Sequence, residues 1–220
     1  MRMLSQAVED YLKAIYKLQG DSRVATNDIA ERMGVSSASV TNMLKRLTKM
    51  ELVDHASYKG VRLTDAGTKV ALEIIRHHRL LETYLKEIMG FSWSEMHAEA
   101  ERLEHHISEE FEARIDEMLG YPTHDPHGHP IPTKDGQIAE SATQTLAEVE
   151  PGQRVVVHHV SDADSDLLEY LESAGLLPNS RVRVVKKEPF NGPLTVSMGG
   201  DQRVIGREVA SHVFVEQDEA

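Results

Sequence analysis

The sequence predicts a mainly helical chain that closes on a small β domain, and three observations predict it. Apolar residues recur at helical spacing through most of the chain up to Leu119. One short alternating segment near residue 55 interrupts them. Strand-like runs separated by glycine and proline turns return only after residue 150.

The first helix spans Ser5 to Gln19, with Val8, Tyr11, Leu12, Ile15 and Leu18 on its apolar face and Gln6, Asp10, Lys13 and Lys17 opposite. A short helix capped by Thr26 runs through Met33 and stops at Gly34, and a third opens at Ser36 or Ser37 and reaches about Lys49. Ile29, Ala30 and Met33 face Val40, Met43, Leu44 and Leu47 across a tight Gly34-Val35 turn, a helix-turn-helix arrangement. Leu52 to Leu63 alternates and turns at Lys59-Gly60, so it reads as a β-hairpin wing before Thr64 caps the next helix.

The non-core positions of the third helix carry short polar groups and then cations. Ser36, Ser37, Ser39, Thr41 and Asn42 would let the helix enter a major groove, with Asn42 able to pair with a base edge. Lys45, Arg46 and Lys49, with Lys59 and Arg62 of the wing, would hold phosphates. The net charge of −12 argues against nucleic acid only until it is divided. Residues 1–65 hold ten Lys/Arg and eight Asp/Glu; the remainder holds 14 against 28. A slightly basic head on an acidic body implies different partners for the two parts.

The middle region concentrates metal-ligating residue types. Eight of the twelve histidines lie between His77 and His129. The stretch His97 to His106 lacks glycine and proline and reads as helix, which would place His97, Glu101, Glu104 and His105 within an arc of about 100°. Like charges so placed repel unless a cation lies on them, so the row reads either as a solvated acidic face or as a seat for a divalent metal, and the rest of the chain decides between them. His78 and Glu82, four apart, form a second pair on one helix. Tyr121 to Pro132 holds four of the eight prolines and reads as a stiff extended segment able to offer His124, Asp125, His127 and His129 as ligands. With no cysteine in the chain, any metal must be held by oxygen and nitrogen. Ile88, Met89, Phe91, Trp93, Leu103, Ile107, Phe111, Ile115 and Leu119 exceed what two or three helices bury alone, which suggests a homodimer.

Residues 133–147 read as a flexible connector. The β runs are Arg154 to Val160, Arg181 to Lys187, Leu194 to Met198, Arg203 to Ile205 and Val213 to Glu216, around one helix from Ser165 to Ala174, a small barrel of about 70 residues. Charges at Glu9, Asp10, Lys13 and Lys17 stand where a signal peptide needs an apolar core, and no apolar run reaches the roughly 18 residues of a membrane span, so a cytoplasmic protein without membrane contact is expected.

In combination, Glu9-Asp10-Tyr11-Leu12, the Ser36 to Leu47 helix, His77-His78-Arg79-Leu80-Leu81-Glu82, the His97 to His105 row and Pro126-His127-Gly128-His129-Pro130 resemble the diphtheria-toxin-repressor family of metal-dependent transcriptional regulators, most of all its manganese-sensing branch. The resemblance implies a winged helix-turn-helix DNA-binding domain over residues 1–72, a helical metal-binding and dimerisation domain over 73–141, and an SH3-like, FeoA-type β-barrel over 148–217. It implies a homodimer that binds palindromic operator DNA when loaded with Mn(II), with Fe(II) or Zn(II) as the alternative, and no small organic substrate.

Carried over by position, its primary site would comprise Asp10, Glu101, Glu104 and His105, and its second Glu82, Asp125, His127 and Asp162, with His78 and His97 nearby. The iron-sensing branch has sulfur ligands where this chain has Asp10 and Glu101, and close relatives have cysteine at Asp125. Lys13 stands where some manganese regulators carry a further Glu, which argues against a two-metal cluster. A carboxylate/His metalloenzyme is the competing class, but no residue pattern supplies a separate nucleophile or general base.

Overall fold

The computed structural model describes residues 4–20, 22–56, 59–162 and 164–218, which form two compact units. The first comprises residues 1–78 with 104–107 and 132–137, the second 79–103, 108–131 and 138–220.

In the first unit, helix α1 (Gln6–Leu18) buries Val8, Leu12 and Ile15 completely. Helix α2 (Thr26–Met33) begins after Ala25, so Thr26 is its first residue and not its cap. Gly34 ends it in the left-handed conformation at φ 64°, which a glycine adopts without strain. Helix α3 (Ser37–Lys49) opens on Ser36, whose hydroxyl accepts from the Ser39 amide at 3.2 Å. Ile29, Val40, Leu44, Leu47 and Val61 join α1 in one core at zero exposure. Each contributes about 1.5–3 kcal/mol by leaving water.

Strands β1 (Val53–Ala56) and β2 (Gly60–Leu63) form the antiparallel wing, and Val24 bridges to Val61 on its other side. Gly60, expected in the turn with Lys59, instead opens β2 and pairs with Ala56, while Ser57 and Tyr58 lie outside the described residues. Helix α4 (Asp65–Glu87) starts where Thr64 Oγ1 accepts the Gly67 amide at 3.1 Å. Gly67 approaches the wing so closely that a Cβ there would stand 1.9 Å from the Leu52 carbonyl oxygen.

The second unit takes the end of α4, α5 (Trp93–Leu103), α6 (Glu109–Met118) and the C-terminal β domain. Helix α5 stops at Leu103, and Glu104 to His106 form a turn, so the expected row from His97 to His106 is not one helix. The Glu104 carbonyl lies 3.1 Å from His77 Nδ1 instead of continuing a helical ladder. Ser108 caps α6, accepting the Phe111 amide at 3.2 Å.

Strands β3 (Arg154–Val160), β4 (Arg181–Lys187), β5 (Leu194–Met198), β6 (Asp201–Ile205) and β7 (Val213–Gln217) form an antiparallel sheet in the order β6-β5-β4-β3-β7. Helix α7 (Ser165–Ala174) follows β3, and the short helix α8 (Arg207–Ala210) precedes β7. Glu172 of α7 ties this domain to the helices, bonding Lys86 Nζ at 2.7 Å and the Trp93 amide at 3.2 Å. Among the described residues no helix is long and apolar enough to cross a membrane.

The apolar surplus of the middle region is smaller than the sequence suggests. Trp93 and Ile115 are 3% exposed within the chain, whereas Ile88, Met89, Phe111, Met118 and Tyr121 remain exposed.

Candidate metal centres and DNA-reading face

The first group of ligand-type side chains lies within the DNA-reading unit. Asp10, Glu104 and His105 offer ligand atoms that all lie within 4.8 Å of one another. His105 Nε2 is 2.9 Å from Asp10 Oδ1 and 3.3 Å from Glu104 Oε1, while its Nδ1 is held 2.7 Å from Glu9 Oε2. Glu9 therefore fixes the ring so that Nε2 faces the other two groups, as outer carboxylates do for ligating histidines. Sequence reasoning missed this role because Glu9 and Asp10 project about 100° apart on a helix and only one was assigned to the site.

Glu104 is 2% exposed and is met by Lys13 Nζ at 2.8 and 2.7 Å and by His78 Nδ1 at 2.5 Å. Burial pushes its carboxyl up, but His78 and Lys13 outweigh that and hold it below the usual carboxylate range. Asp10 shifts the other way: burial raises it, and the neighbouring His105 only partly opposes. Lys13, expected on the polar face of α1, is buried because its ammonium meets Glu104. His78, assigned from the resemblance to the neighbourhood of the second site, makes its close contacts with Glu104 and Lys13.

In the second unit, Glu82 and His127 are completely buried and Asp125 nearly so. His97 Nδ1 lies 2.7 Å from Glu82 Oε1, and His127 Nδ1 lies 3.6 Å from the same oxygen. Among the described residues neither ring nitrogen of His127 has a partner within hydrogen-bond distance, although the ring is fully enclosed and stands edge-on to Trp93 at 4.9 Å. A buried imidazole left so is costly, which fits a site whose missing partner is a metal ion. Asp125, His127 and His129 also offer ligand atoms within 4.8 Å of one another. Burial lowers the affinity of His127 for a proton, yet the charges of Glu82, Asp125 and Asp162 reverse this and raise it above the ordinary value. The same carboxylates would attract any cation. Glu101 remains exposed, 3.9 Å from His97 Nε2.

The proline-rich segment is a tight loop, where the sequence suggested extended chain. Asp125 Oδ1 accepts the amides of His127 and His129 at 2.9 Å each, and the His124–Pro130 bridge closes the loop. Arg79 steadies it through the Pro130 carbonyl at 2.5 Å and lies 3.5 Å from Asp125 Oδ2. Burial drives the Asp125 carboxyl up, but His129 and Arg79 bring it below its ordinary value. Gly128 adopts φ 90°, and a Cβ there would stand 2.1 Å from the His158 carbonyl oxygen. The Val160 amide in turn donates to the His127 carbonyl at 3.0 Å, so β3 fixes the loop.

On the DNA-reading face, Ser36, Ser37, Ser39, Asn42, Lys45, Arg46 and Lys49 are exposed along α3, with Lys59 and Arg62 exposed on the wing. Thr41 is half-buried and its hydroxyl donates to the Ser37 carbonyl at 2.8 Å. Ser37 donates to Asn27 Oδ1 at 3.0 Å, a contact that orients the start of α3. Arg23, unmarked in the sequence reading, pairs with Asp54 at the base of the wing.

Comparison with known proteins matches this layout in order. Residues 3–61 match the N-terminal DNA binding domain of the iron dependent repressors, and 64–133 match their metal binding and dimerisation domain. Residues 144–217 match the FeoA domain. The iron-dependent repressor IdeR of Mycobacterium leprae (strain TN) is 33% identical over 99% of this chain and 100% of its own length. The chain belongs to the iron-dependent repressor family. Members of this family are metal-dependent transcriptional repressors and not enzymes.

The diphtheria toxin repressor of Corynebacterium diphtheriae is 28% identical over 99% of the chain and all of its own length. Among solved structures, a manganese-dependent transcriptional repressor in complex with manganese is 39% identical with a TM-score of 0.88, covering 96% of this chain and 99% of that one. The manganese regulator SloR is 35% identical with a TM-score of 0.78, covering 96% and 98%. This repressor thus shares its fold with relatives named for iron and others named for manganese.

Proposed function

We propose that this repressor senses Mn(II) and binds a palindromic operator as a homodimer, in the cytoplasm, when metal is bound. The observation that carries the reading is the gathering of Asp10, Glu104 and His105 on the unit that also presents α3. Asp10 and Glu104 are hard oxygen donors and His105 adds one nitrogen, a set suited to Mn(II) in geometry and hardness although affinity order alone favours later metals. Glu101 is part of the proposed primary set by its place in the family pattern.

Asp10, Glu104 and His105 would hold the divalent ion, which when bound would add positive charge between α1 and the Glu104–His105 turn. The remaining work belongs to the chain. Asp10 projects from the core helix of the DNA-reading unit, so its position bears on where α3 stands. Glu9 orients His105, and α3 with its wing reads DNA. Two such helices in a dimer must reach successive major grooves about 34–36 Å apart, or a multiple of that distance. Linkage requires that operator DNA raise metal affinity as much as metal raises DNA affinity. Glu82, Asp125, His127 and Asp162 are the proposed second site, with His97 beside Glu82, and the unbonded nitrogens of His127 among the described residues are the observation behind it.

Fe(II) is the second reading, favoured by the names of the relatives in Mycobacterium leprae and its kin. Fluorescence anisotropy of an operator fragment, with Mn(II), Fe(II), Zn(II) and chelator added in turn, separates them. Binding indifferent to chelator would refute metal dependence in any form.

A further inference from the structure

The first metal group already contains a cation of its own. Lys13 Nζ stands 2.8 and 2.7 Å from the two carboxylate oxygens of Glu104 and 3.4 Å from His78 Nδ1, and the residue is only 8% exposed. One ammonium therefore engages both oxygens that Glu104 could offer to a metal. Without a cation, a carboxylate as enclosed as Glu104 would be left uncompensated, at high cost. Lys13 and His78 remove that cost within the chain itself.

We propose that Lys13 is a tethered counter-cation of Glu104 that competes with the divalent ion and weakens metal binding at this group. The inference rests on the reading of Asp10, Glu104 and His105 as ligands. An ammonium has three donors and no lone pair, so in that form it blocks Glu104 without itself ligating a metal. A carboxylate has about four acceptor directions, so Glu104 can turn one oxygen toward a metal while keeping one contact to Lys13. Like charges that close repel strongly in a water-poor site. The lysine thereby raises the metal concentration at which the group loads, and it keeps α1 joined to Glu104 when no metal is present.

The test is a titration of the full chain with Mn²⁺ by calorimetry, with bound metal counted by elemental analysis, for wild type, Lys13→Met, Lys13→Arg, Asp10→Ala and the Asp10→Ala/Lys13→Met double variant. Lys13→Met is expected to bind one ion more tightly by on the order of tenfold, the direction set by removing a like charge. Lys13→Arg should stay near wild type, and the gain should vanish in the double variant, which assigns it to this group. Metal-free Lys13→Met should also unfold at a lower temperature than wild type, a readout independent of metal. Should Lys13→Met not fold, Lys13→Gln carries the same expectation, since it keeps a hydrogen bond to Glu104 without the charge. Unchanged or weaker affinity in the neutral variants, or a gain that survives Asp10→Ala, overturns the proposal while leaving the ligand reading intact. If Asp10→Ala removes no ion from the otherwise unaltered chain, the ligand reading itself falls and the proposal with it.

Discussion

The two ligand groups of this repressor differ in how their charge is balanced. Around Glu104, Lys13 and His78 answer the carboxylate from within the chain. Around His127, the carboxylates of Glu82 and Asp125 stand near a fully buried imidazole whose nitrogens have no partner within hydrogen-bond distance among the described residues. The first carboxylate thus meets an ammonium, whereas the carboxylates of the second group meet imidazoles and a guanidinium, Glu82 against His97 and Asp125 against His129 and Arg79. If both groups take metal as proposed, the first must do so against a cation already in place.

The largest expected effect breaks the first group. Asp10→Ala should reduce metal-stimulated operator affinity by about 100-fold, on the order of 3 kcal/mol, while the metal-free protein unfolds near the wild-type temperature. Anisotropy and thermal unfolding on the same samples check both halves. The second group is best broken through its loop: Gly128→Ala forces a Cβ against the His158 carbonyl at positive φ and should cost about 2–3 kcal/mol, read as a lower unfolding temperature. If Gly128→Ala is as stable as wild type, the loop is not held as described.

A third variant sharpens the comparison. His127→Leu removes both ring nitrogens and should leave metal-free stability within about 1 kcal/mol of wild type, because among the described residues no contact within hydrogen-bond distance is lost. It should still delete one bound ion. A drop of several kcal/mol would show instead that the ring is satisfied in a way the geometry does not reveal.

The DNA-reading face gives a smaller, separable effect. Lys45→Ala should weaken operator binding about equally for all sequences and lower the salt slope by about one, whereas Asn42→Ala should relax discrimination at one base position.

A pH dependence that is silent near neutrality lies beside the second group. His159 stacks on Phe214 with ring centroids 4.3 Å apart, and burial, aided by the charges of His129 and His158, pulls its pKa down to about 3 from 6.5. The unfolded chain takes up a proton between those values and the folded chain does not. His159 thus contributes stability that is present above about pH 6.5 and lost as pH falls toward 3. His159→Phe should flatten the acid limb of the unfolding curve; an unchanged limb would remove His159 from the account.

Much of this was legible in the residues. Helical periodicity, Gly34 and the Ser36 cap located α1 to α3 to within a residue or two, because capping and burial of an apolar face are local and periodic. The alternation after residue 150 located the strands of the sheet for the same reason. The FeoA match and the fold of the metal-binding domain agree with the resemblance that His77 to Glu82 and Pro126 to Pro130 suggested.

What local pattern could not reveal was which side chains meet. Periodicity carried one helix through Glu104 and His105, but a contact to His77, distant in sequence, takes the Glu104 carbonyl and ends α5 at Leu103. Lys13 read as a solvated face residue because helical phase reports direction and not what lies opposite; only the fold brings Glu104 to it. The prolines promised stiff extension, yet Asp125 folds the chain back through two amides, a bond that depends on side-chain geometry and not composition. By itself, then, the sequence determined the elements, their order and the supply of oxygen and nitrogen ligands, since these follow from neighbours in the chain. The tertiary structure alone decided which carboxylate received an internal cation and which histidine has no partner within hydrogen-bond distance among the described residues, because contacts between residues far apart in sequence exist only once the chain has closed on itself.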